Sequence, residues 1–379
     1  MNFTAKMKLL SVVGARPQFI KIAPMCRVIA DYNEGTKDKI KDIIVHTGQH
    51  YDVDMSDIFF DELKIPKPHY HLGVGSCSHG AQTGRMLEKI EKLLIDVRPD
   101  MVIVYGDTNS TVAGAMAAVK LDIPVAHIEA GLRSFNKKMP EEVNRIVADH
   151  VSDLLFAPTQ TAMNNLQAEN LIEKSKNVGD IMYDAVLFNR RLAKQQSDIL
   201  SVLGVTPKKY GVVTIHRAEN TDDLKRLKEI LTSLNKIAEG GLKLIFPVHP
   251  RTRNKINNDL QGWKAISNFS FIEPVGYLDM IQLLGNAALS LTDSGGLQKE
   301  AFFLNCPCIT LRDETEWIET VESKGNIIAG ADSEKIQEAY SYWNMRMESD
   351  IDFSNQVNTL FGSGNTAEQI LEALVEYIH

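Results

Sequence analysis

The chain has 379 residues, of which 44% are hydrophobic and 24% charged, a composition typical of a globular protein with more than one core. Its formal net charge of −8 argues against nucleic acid and anionic membranes as partners. The four cysteines form no C-x-x-C pair and no apolar run is long enough to span a membrane, so we expect a cytoplasmic protein without a disulfide framework or zinc ribbon.

Short apolar runs alternate with helical patterns along the chain. Because the runs are apolar on both faces, we interpret them as strands of parallel sheets covered by helices. The first set is Lys8–Val13, Ile43–Thr47, Met101–Tyr105, Val125–Glu129 and Leu154–Ala157. The second set is Val212–His216, Leu242–Val248, Phe269–Ile272, Leu289–Thr292 and Cys308–Leu311. The restart near residue 180 predicts two doubly wound, Rossmann-like α/β domains that face each other across a cleft.

Polar residues that follow the strands are candidates for function, since ligands of doubly wound folds bind at the carboxyl ends of the strands. These candidates are Arg16, Gln49, Asp107, Glu129, His216, His249 and Ser294. His46 and His50 have a metal-like spacing, but they lack the glutamate of H-E-x-x-H. We therefore favour sugar contacts or a loop role over zinc at these histidines. His216 is either a diphosphate contact or a structural histidine.

The turn Ser294-Gly295-Gly296 has the features of an anion site. Its glycines let backbone N–H groups approach an anion, and the helix that follows offers unpaired donors and a positive dipole end. Glu300 lies four residues after Gly296 and is placed to accept the hydroxyls of a ribose. The alternative is an ordinary strand–helix turn with a capping serine.

Arg16 and Lys21 belong to a second strand–helix junction, where Pro17 fits the first turn of a helix. Both cations are placed to reach a phosphate or a sugar near the helix start. The alternative is a solvated helix start.

Three acids near strand ends are candidates for proton transfer at a sugar carbon: Asp107, Glu129 and Glu141. Asp107 is alternatively an N-cap. Glu129 ends a buried strand, where a carboxylate is costly unless it is paired or functional. Glu141 and Arg145 lie four apart on a predicted helix, a spacing that suggests a local ion pair able to hold a catalytic acid in place.

The last predicted helix covers Thr366–Ile378 and begins with a capping-box pattern, Thr366 with Gln369. Its apolar face predicts that it docks on the body of the protein.

Taken together, the motifs resemble the non-hydrolysing UDP-N-acetylglucosamine 2-epimerases. The motifs that carry the resemblance are Gly14-Ala15-Arg16-Pro17-Gln18, His46-Thr47-Gly48-Gln49-His50, Gly106-Asp107-Thr108, His127-Ile128-Glu129-Ala130-Gly131-Leu132-Arg133, Pro140-Glu141-Glu142, Asn144-Arg145, His216-Arg217 and Thr292-Asp293-Ser294-Gly295-Gly296. They occur in the family's order from residue 8 to about residue 330.

The resemblance implies a fold like that of glycogen phosphorylase, with residues 1–179 and the terminal helix 363–379 in one domain and residues 180–362 in the other. It implies interconversion of UDP-N-acetylglucosamine and UDP-N-acetylmannosamine through elimination of UDP, an enzyme-bound 2-acetamidoglucal and re-addition. It also implies a homodimer that needs no metal and no redox cofactor.

The resemblance assigns roles to residues of both halves. The catalytic set is Asp107, Glu129, Glu141, Arg145 and His216, with Arg145 orienting the acids. The substrate-binding set is Arg16, Lys21, Gln49, His249, Met280, Ser294, Gly295, Gly296, Glu300 and Trp317.

One departure from the family affects the nucleotide-sugar site. Many relatives carry Thr-Glu-Arg-Pro-Glu where this chain reads Thr315-Glu316-Trp317-Ile318-Glu319, so a cation is replaced by an aromatic ring that can stack. The stretch Gly73–Leu87 also differs from the loop that carries an activating substrate site in several bacterial enzymes. Three other functions stay open: a 2-epimerase of a UDP-2,3-diacetamido uronic acid, a glycosyltransferase of the same fold and a nucleotide-sugar sensor.

Overall fold

A computed structural model describes residues 7–49, 60, 62–260, 262–347 and 351–378. The chain divides into two compact units, the first formed by residues 1–185 and 359–379 and the second by residues 186–358. His50 of the second motif lies outside the described residues.

The first unit contains a seven-stranded sheet in which every pair of neighbouring strands is parallel. Its strands are β1 (Met7–Val13), β2 (Ile40–His46), β3 (Tyr70–His71), β4 (Met101–Tyr105), β5 (Val125–Ile128), β6 (Leu154–Ala157) and β7 (Ser175–Asn177). The strand order is β3-β2-β1-β4-β5-β6-β7. The order reverses between β1 and β4, where a doubly wound sheet opens a crevice for ligands.

Helices connect these strands. They are α1 (Arg16–Gly35), α2 (His79–Val97), α3 (Asn109–Val119), α4 (Pro140–Val151) and α5 (Gln160–Ala168), and α6 (Ile181–Gln196) leads into the second unit. Much of the core lies between the sheet and helices α2 and α3, where Leu10, Val12, Val102 and Val104 are fully buried against Met86. This packing fixes the carboxyl ends of β1 and β4 side by side.

The second unit repeats the design with six parallel strands. Its strands are β8 (Tyr210–Thr214), β9 (Lys243–Pro247), β10 (Phe269–Ile272), β11 (Leu289–Thr292), β12 (Cys308–Thr310) and β13 (Asn326–Ile328). Its helices are α7 (Ile199–Val202), α8 (Ala218–Thr221), α9 (Leu224–Glu239), α10 (Pro250–Asp259), α11 (Tyr277–Asn286), α12 (Gly295–Phe303), α13 (Ile318–Glu322) and α14 (Ser333–Asn344). The order β10-β9-β8-β11-β12-β13 reverses between β8 and β11.

The predicted α/β class with two parallel sheets is confirmed. All ten predicted runs form strands, whereas β3, β7 and β13 were not predicted. These three lie at sheet edges and are only two or three residues long. Because an edge strand is covered less than a central one, β3 and β7 carry no buried residue and leave no apolar run in the sequence.

The chain returns to the first unit through α15 (Ser354–Phe361) and ends in α16 (Thr366–Ile378), which contacts α1. The predicted capping box is replaced by a distant cap, in which the Asp184 carboxylate accepts a hydrogen bond from the Ala367 N–H at 2.8 Å. Gln369 donates instead to the Val178 carbonyl oxygen at 3.3 Å. None of the helices in the described ranges is long and apolar enough to cross a membrane.

We expect Asp184→Asn to raise the free energy of unfolding at pH 8 and to have little effect at pH 4. Burial raises the pKa of Asp184 from 3.8 to about 6, despite the Ala367 N–H bond that favours its ionised form. Between these values the native state holds a proton that the unfolded state releases, so wild-type stability falls as pH rises and stays lower above pH 6. Across this pH range the free energy of unfolding of the wild type falls by about 3 kcal/mol.

Denaturant unfolding of both proteins at pH 4, 6 and 8 measures this effect. Asparagine keeps an oxygen for the Ala367 N–H, so the comparison isolates the ionisation of Asp184. A difference between the two proteins that does not change with pH would contradict the prediction.

Candidate active site

In the first unit, the predicted site residues collect where the strand order reverses. The loop after β1 is tied to the end of β4 by Gln18, which is buried. Its side-chain oxygen accepts from the backbone N–H of Gly14 at 2.8 Å, and its amide donates to the Tyr105 carbonyl oxygen at 2.9 Å. These bonds fix the start of α1. Arg16 is exposed at the N-terminus of this helix.

Lys21 and Glu129 form a buried ion pair at this edge. The two residues are 9% and 8% exposed, respectively. Glu129 follows β5 with a φ of +71°, in the left-handed region that a residue with a side chain normally avoids. Gly106 also has a positive φ, and a Cβ there would lie 3.1 Å from both charged groups. Strained, buried and paired carboxylates of this kind are typical of functional sites.

Asp107 leaves the end of β4 and forms an ion pair with Arg145 of α4. It is not the N-cap of α3, because that position is held by Thr108, whose hydroxyl accepts from the Thr111 N–H at 3.4 Å. The Asp107 side chain is 32% exposed and therefore accessible to a ligand.

The ion pair expected between Glu141 and Arg145 is formed instead between Glu142 and Arg145. Arg145 Nη1 lies 3.0 Å from Glu142 Oε2, so one guanidinium bridges Glu142 and Asp107. Burial opposes ionisation of Glu142, but bonds from Ser134 and from the Phe135 N–H outweigh it and hold the pKa of Glu142 below its usual value. Glu142 thus anchors Arg145.

Glu141 and Gln49 are both half-buried. Glu141 lies in the first turn of α4. The Gln49 side-chain oxygen accepts from the N–H of Ser110 at 3.0 Å and from its hydroxyl at 2.7 Å. Gln49 therefore also fixes the loop after β2 to the start of α3.

In the second unit, Asp293 organises the edge where β8 and β11 meet. It is fully buried, and its carboxylate accepts from the backbone N–H of His216 at 3.0 Å and of Arg217 at 3.0 Å. His216 Nδ1 lies 3.2 Å from the same carboxylate, and the His216 side chain is 45% exposed. The loop and the imidazole are thus held by one buried acid.

The turn Ser294-Gly295-Gly296 leads into α12, and its serine caps this helix, as the alternative interpretation of the turn expected. Ser294 is the N-cap of α12, and its hydroxyl accepts from the Leu297 N–H at 3.4 Å. Gly296 is exposed with open space around it, while a Cβ at Gly295 would collide with the Glu316 carboxylate. Arg312 holds Glu316 in place, with Nη1 3.0 Å from Glu316 Oε2.

Glu300 and Trp317 are both buried near this turn, at 7% and 5% exposure. Tyr277 donates its hydroxyl hydrogen to Glu300 Oε1 at 3.0 Å. The Lys299 ammonium lies 3.7 Å from the centre of the Trp317 ring. The Trp317 ring thus carries a cation from α12.

The two remaining candidates of the second unit lie on helices. His249 is the N-cap of α10, where its Nδ1 accepts from the Arg251 N–H at 3.2 Å. Met280 is half-buried in α11.

Four residues of these sites were not assigned a role from the sequence: Glu142, Asp293, Arg312 and Tyr277. Asp293 and Tyr277 have partners far away in the chain, and Glu142 lies next to a more conspicuous acid. Arg312 pairs with Glu316 only four residues on, a local spacing to which no role was given. The one available signal in the sequence was Asp293, a carboxylate directly after an apolar strand, where burial is costly unless the group is paired. Among the described ranges, no cluster of histidine, cysteine, aspartate and glutamate is arranged to hold a metal ion.

Comparison with known proteins places the chain in a family. The family model of UDP-N-acetylglucosamine 2-epimerase matches residues 34–375. A UDP-N-acetylglucosamine 2-epimerase homolog from Methanococcus maripaludis is 50% identical over 97% of this chain and 99% of its own. The UDP-2,3-diacetamido-2,3-dideoxy-D-glucuronate 2-epimerase of Pseudomonas aeruginosa is 46% identical over 98% of this chain and 100% of its own.

A crystal structure gives the same result. The UDP-GlcNAc 2-epimerase of Methanocaldococcus jannaschii, solved in complex with UDP-GlcNAc and UDP, superposes with a TM-score of 0.86 at 44% identity. The match covers 98% of this chain and 100% of that one. The chain belongs to the UDP-N-acetylglucosamine 2-epimerase family.

Proposed function

We propose that this protein interconverts UDP-N-acetylglucosamine and UDP-N-acetylmannosamine. The observation that carries the proposal is Glu129, a buried carboxylate in left-handed backbone, paired with Lys21 where the strand order reverses. Family membership supplies the substrate class, since the Methanocaldococcus jannaschii relative was crystallised with UDP-GlcNAc and UDP.

The reaction proceeds by elimination and re-addition. Carbon 2 of the sugar has no carbonyl beside it in the ring, so removal of its proton alone would leave an unstabilised carbanion. A carboxylate takes the proton, the C–H electron pair forms the carbon 1–carbon 2 double bond, and the carbon 1–oxygen bond breaks to release UDP. UDP then adds to the 2-acetamidoglucal at carbon 1 while a proton reaches carbon 2 from the other face. Asp107, Glu129 and Glu141 are the proton-transfer candidates, and Arg145 orients Asp107.

The second unit supplies the nucleotide contacts. The helix N-terminus at Ser294, Gly295 and Gly296 and the His216 imidazole bind the diphosphate, and Glu300 accepts the ribose hydroxyls. The exposed turn and the buried Asp293 that holds His216 support this assignment. The remaining substrate contacts are Arg16, Lys21, Gln49, His249, Met280 and Trp317.

The proposal includes a homodimer that works in the cytoplasm without a metal or a redox cofactor. The family resemblance supports these expectations. Sedimentation and activity in the presence of a chelator test it directly.

We expect turnover of UDP-N-acetylglucosamine in D₂O to place deuterium at carbon 2 of UDP-N-acetylmannosamine. Because the carbon 1–oxygen bond breaks, oxygen-18 in the bridging position should spread into the non-bridging oxygens of the same phosphate. Proton and phosphorus NMR follow both labels in one time course. Epimerisation with the bridging label fully retained would reject elimination.

A second substrate deserves the same assay, because the Pseudomonas aeruginosa relative is named for a diacetamido glucuronate. That sugar adds a carboxylate, and this chain carries the Lys299 cation on Trp317 where many relatives carry arginine. Comparing kcat/KM for the two UDP-sugars decides between them.

A further inference from the structure

A buried histidine outside the predicted site joins the two acid-bearing loops of the first unit. His127 lies in β5 and is fully buried. Its Nδ1 is 2.7 Å from Asp149 Oδ1, and its Nε2 is 2.7 Å from the carbonyl oxygen of Gly106. Gly106 directly precedes Asp107, and His127 lies two residues before Glu129. The imidazole therefore contacts the backbone from which both candidate acids project.

Both partners of the ring are hydrogen-bond acceptors. Asp149 Oδ2 accepts from Arg133 Nη1 at 2.7 Å and from the Gly131 N–H at 3.1 Å. Two donors at Oδ2, one of them a guanidinium, favour the ionised form of Asp149 against the cost of its burial. An ionised Asp149 has no hydrogen to donate, and neither has the Gly106 carbonyl. Each ring nitrogen must therefore carry a hydrogen.

Charge balance leads to the same protonation state. Arg133 binds Glu169 through two bonds of 2.7 Å and also contacts Asp149. This cluster contains two carboxylates and one guanidinium. The Lys174 ammonium donates to the backbone carbonyl oxygen of Asp149 at 3.1 Å, and the exposed His150 imidazole lies 3.7 Å from Glu169, so the Asp149 carboxylate itself still lacks a second cation. The other charged groups at these strand ends pair among themselves, as Lys21 with Glu129 and as Arg145 with Asp107 and Glu142. His127 is the group in contact with Asp149 that can supply the missing charge.

We infer that His127 is a buried imidazolium that positions Asp107 for the proposed epimerase reaction, fixing the Gly106 carbonyl to Asp149 of α4. Asp149 lies one helical turn after Arg145, so α4 holds Asp107 twice, through its side chain and through its backbone. His127 acts through other groups and does not touch the substrate. The inference rests on the proposed function for its kinetic consequence and on geometry alone for the charge state.

Two substitutions separate the two hydrogen bonds. In His127→Gln, the longer amide reaches the Nε2 position and keeps a donor for Gly106. In His127→Asn, the shorter amide reaches the Nδ1 position and keeps only the contact with Asp149. We expect kcat to fall a few-fold in the first variant and about 10²-fold in the second, because small displacements of a catalytic group have effects of this size.

UDP affinity should be unchanged in both variants, since the proposed nucleotide contacts are elsewhere. His69→Gln is the matched control, because this exposed histidine directly precedes the edge strand β3, on the other side of the sheet order from β5. Its kcat should equal that of the wild type. A His127→Asn enzyme as active per folded molecule as His127→Gln would overturn the positioning role, and so would a loss of activity fully explained by a smaller folded fraction.

Nitrogen-15 NMR of histidine-labelled wild-type protein tests the charge state without any substrate. The His127 signal is identified by its loss in either variant. We expect a directly bonded hydrogen on both ring nitrogens at neutral pH, whereas a single protonated nitrogen would overturn the inference. Because this measurement needs no turnover, a failure of the epimerase proposal is distinguishable from a failure of the imidazolium.

Discussion

Replacing Glu129 by glutamine is expected to lower turnover by about 10²–10⁴-fold, the range that positioned acid–base groups contribute. UDP affinity should persist, because the proposed diphosphate and ribose contacts come from other residues. Glutamine keeps the size of the side chain and an oxygen for Lys21, so the fold should persist as well. NMR turnover and calorimetric UDP binding measure the two effects. A Glu129→Gln enzyme with near-normal turnover would remove this residue from the catalytic set.

Two further variants separate catalysis from the Lys21–Glu129 ion pair. Glu88→Gln makes the same chemical change on the surface, where the side chain is 65% exposed, and should leave turnover unchanged. The double variant Lys21→Met with Glu129→Gln removes both charges at once. It should recover stability relative to single-charge variants, because no buried charge is left alone, yet turnover should stay low. Recovered turnover would indicate that Glu129 serves only to pair Lys21.

Replacing Arg145 by methionine should have the largest effect on stability. Arg145 is 6% exposed and bridges Asp107 to Glu142, which is 1% exposed. Removing the cation leaves Glu142 buried with neutral donors alone, and breaking a buried pair in this way costs roughly 3–5 kcal/mol. Turnover should fall as well, since Asp107 loses the group that orients it.

Arg145→Lys tests the bridging role. Lysine restores a charge but not the planar fork that reaches two carboxylates, so stability should return in part while turnover stays low. Arg85→Met, at an exposed position of α2, is the control for loss of an arginine. Chemical unfolding and kcat are measured on the same preparations. Full activity in Arg145→Lys would show that orientation of Asp107 does not require the fork.

The fold class and the positions of the strand-end motifs are predictable from the sequence alone. Central parallel strands must be apolar on both faces, so β1, β4 and β5 are visible as local runs. The turn at Ser294 is also a local feature, because Ser294 and two glycines are sufficient to start and cap a helix. Edge strands such as β3 and β7 were not predicted, since a strand at the edge of a sheet needs no apolar run.

The pairing of the charged side chains depends on the tertiary structure. Lys21 meets Glu129 across 108 positions of sequence and Arg145 meets Asp107 across 38, distances over which no periodicity carries information. The spacing of Glu141 and Arg145 indicated a helical pair, but the structure selects Glu142, because the Ser134 and Phe135 donors already hold that carboxylate beneath the guanidinium. Burial and hydrogen-bond partners of ionisable groups depend on how distant strands and helices meet, so the sequence could propose the acids but not their partners.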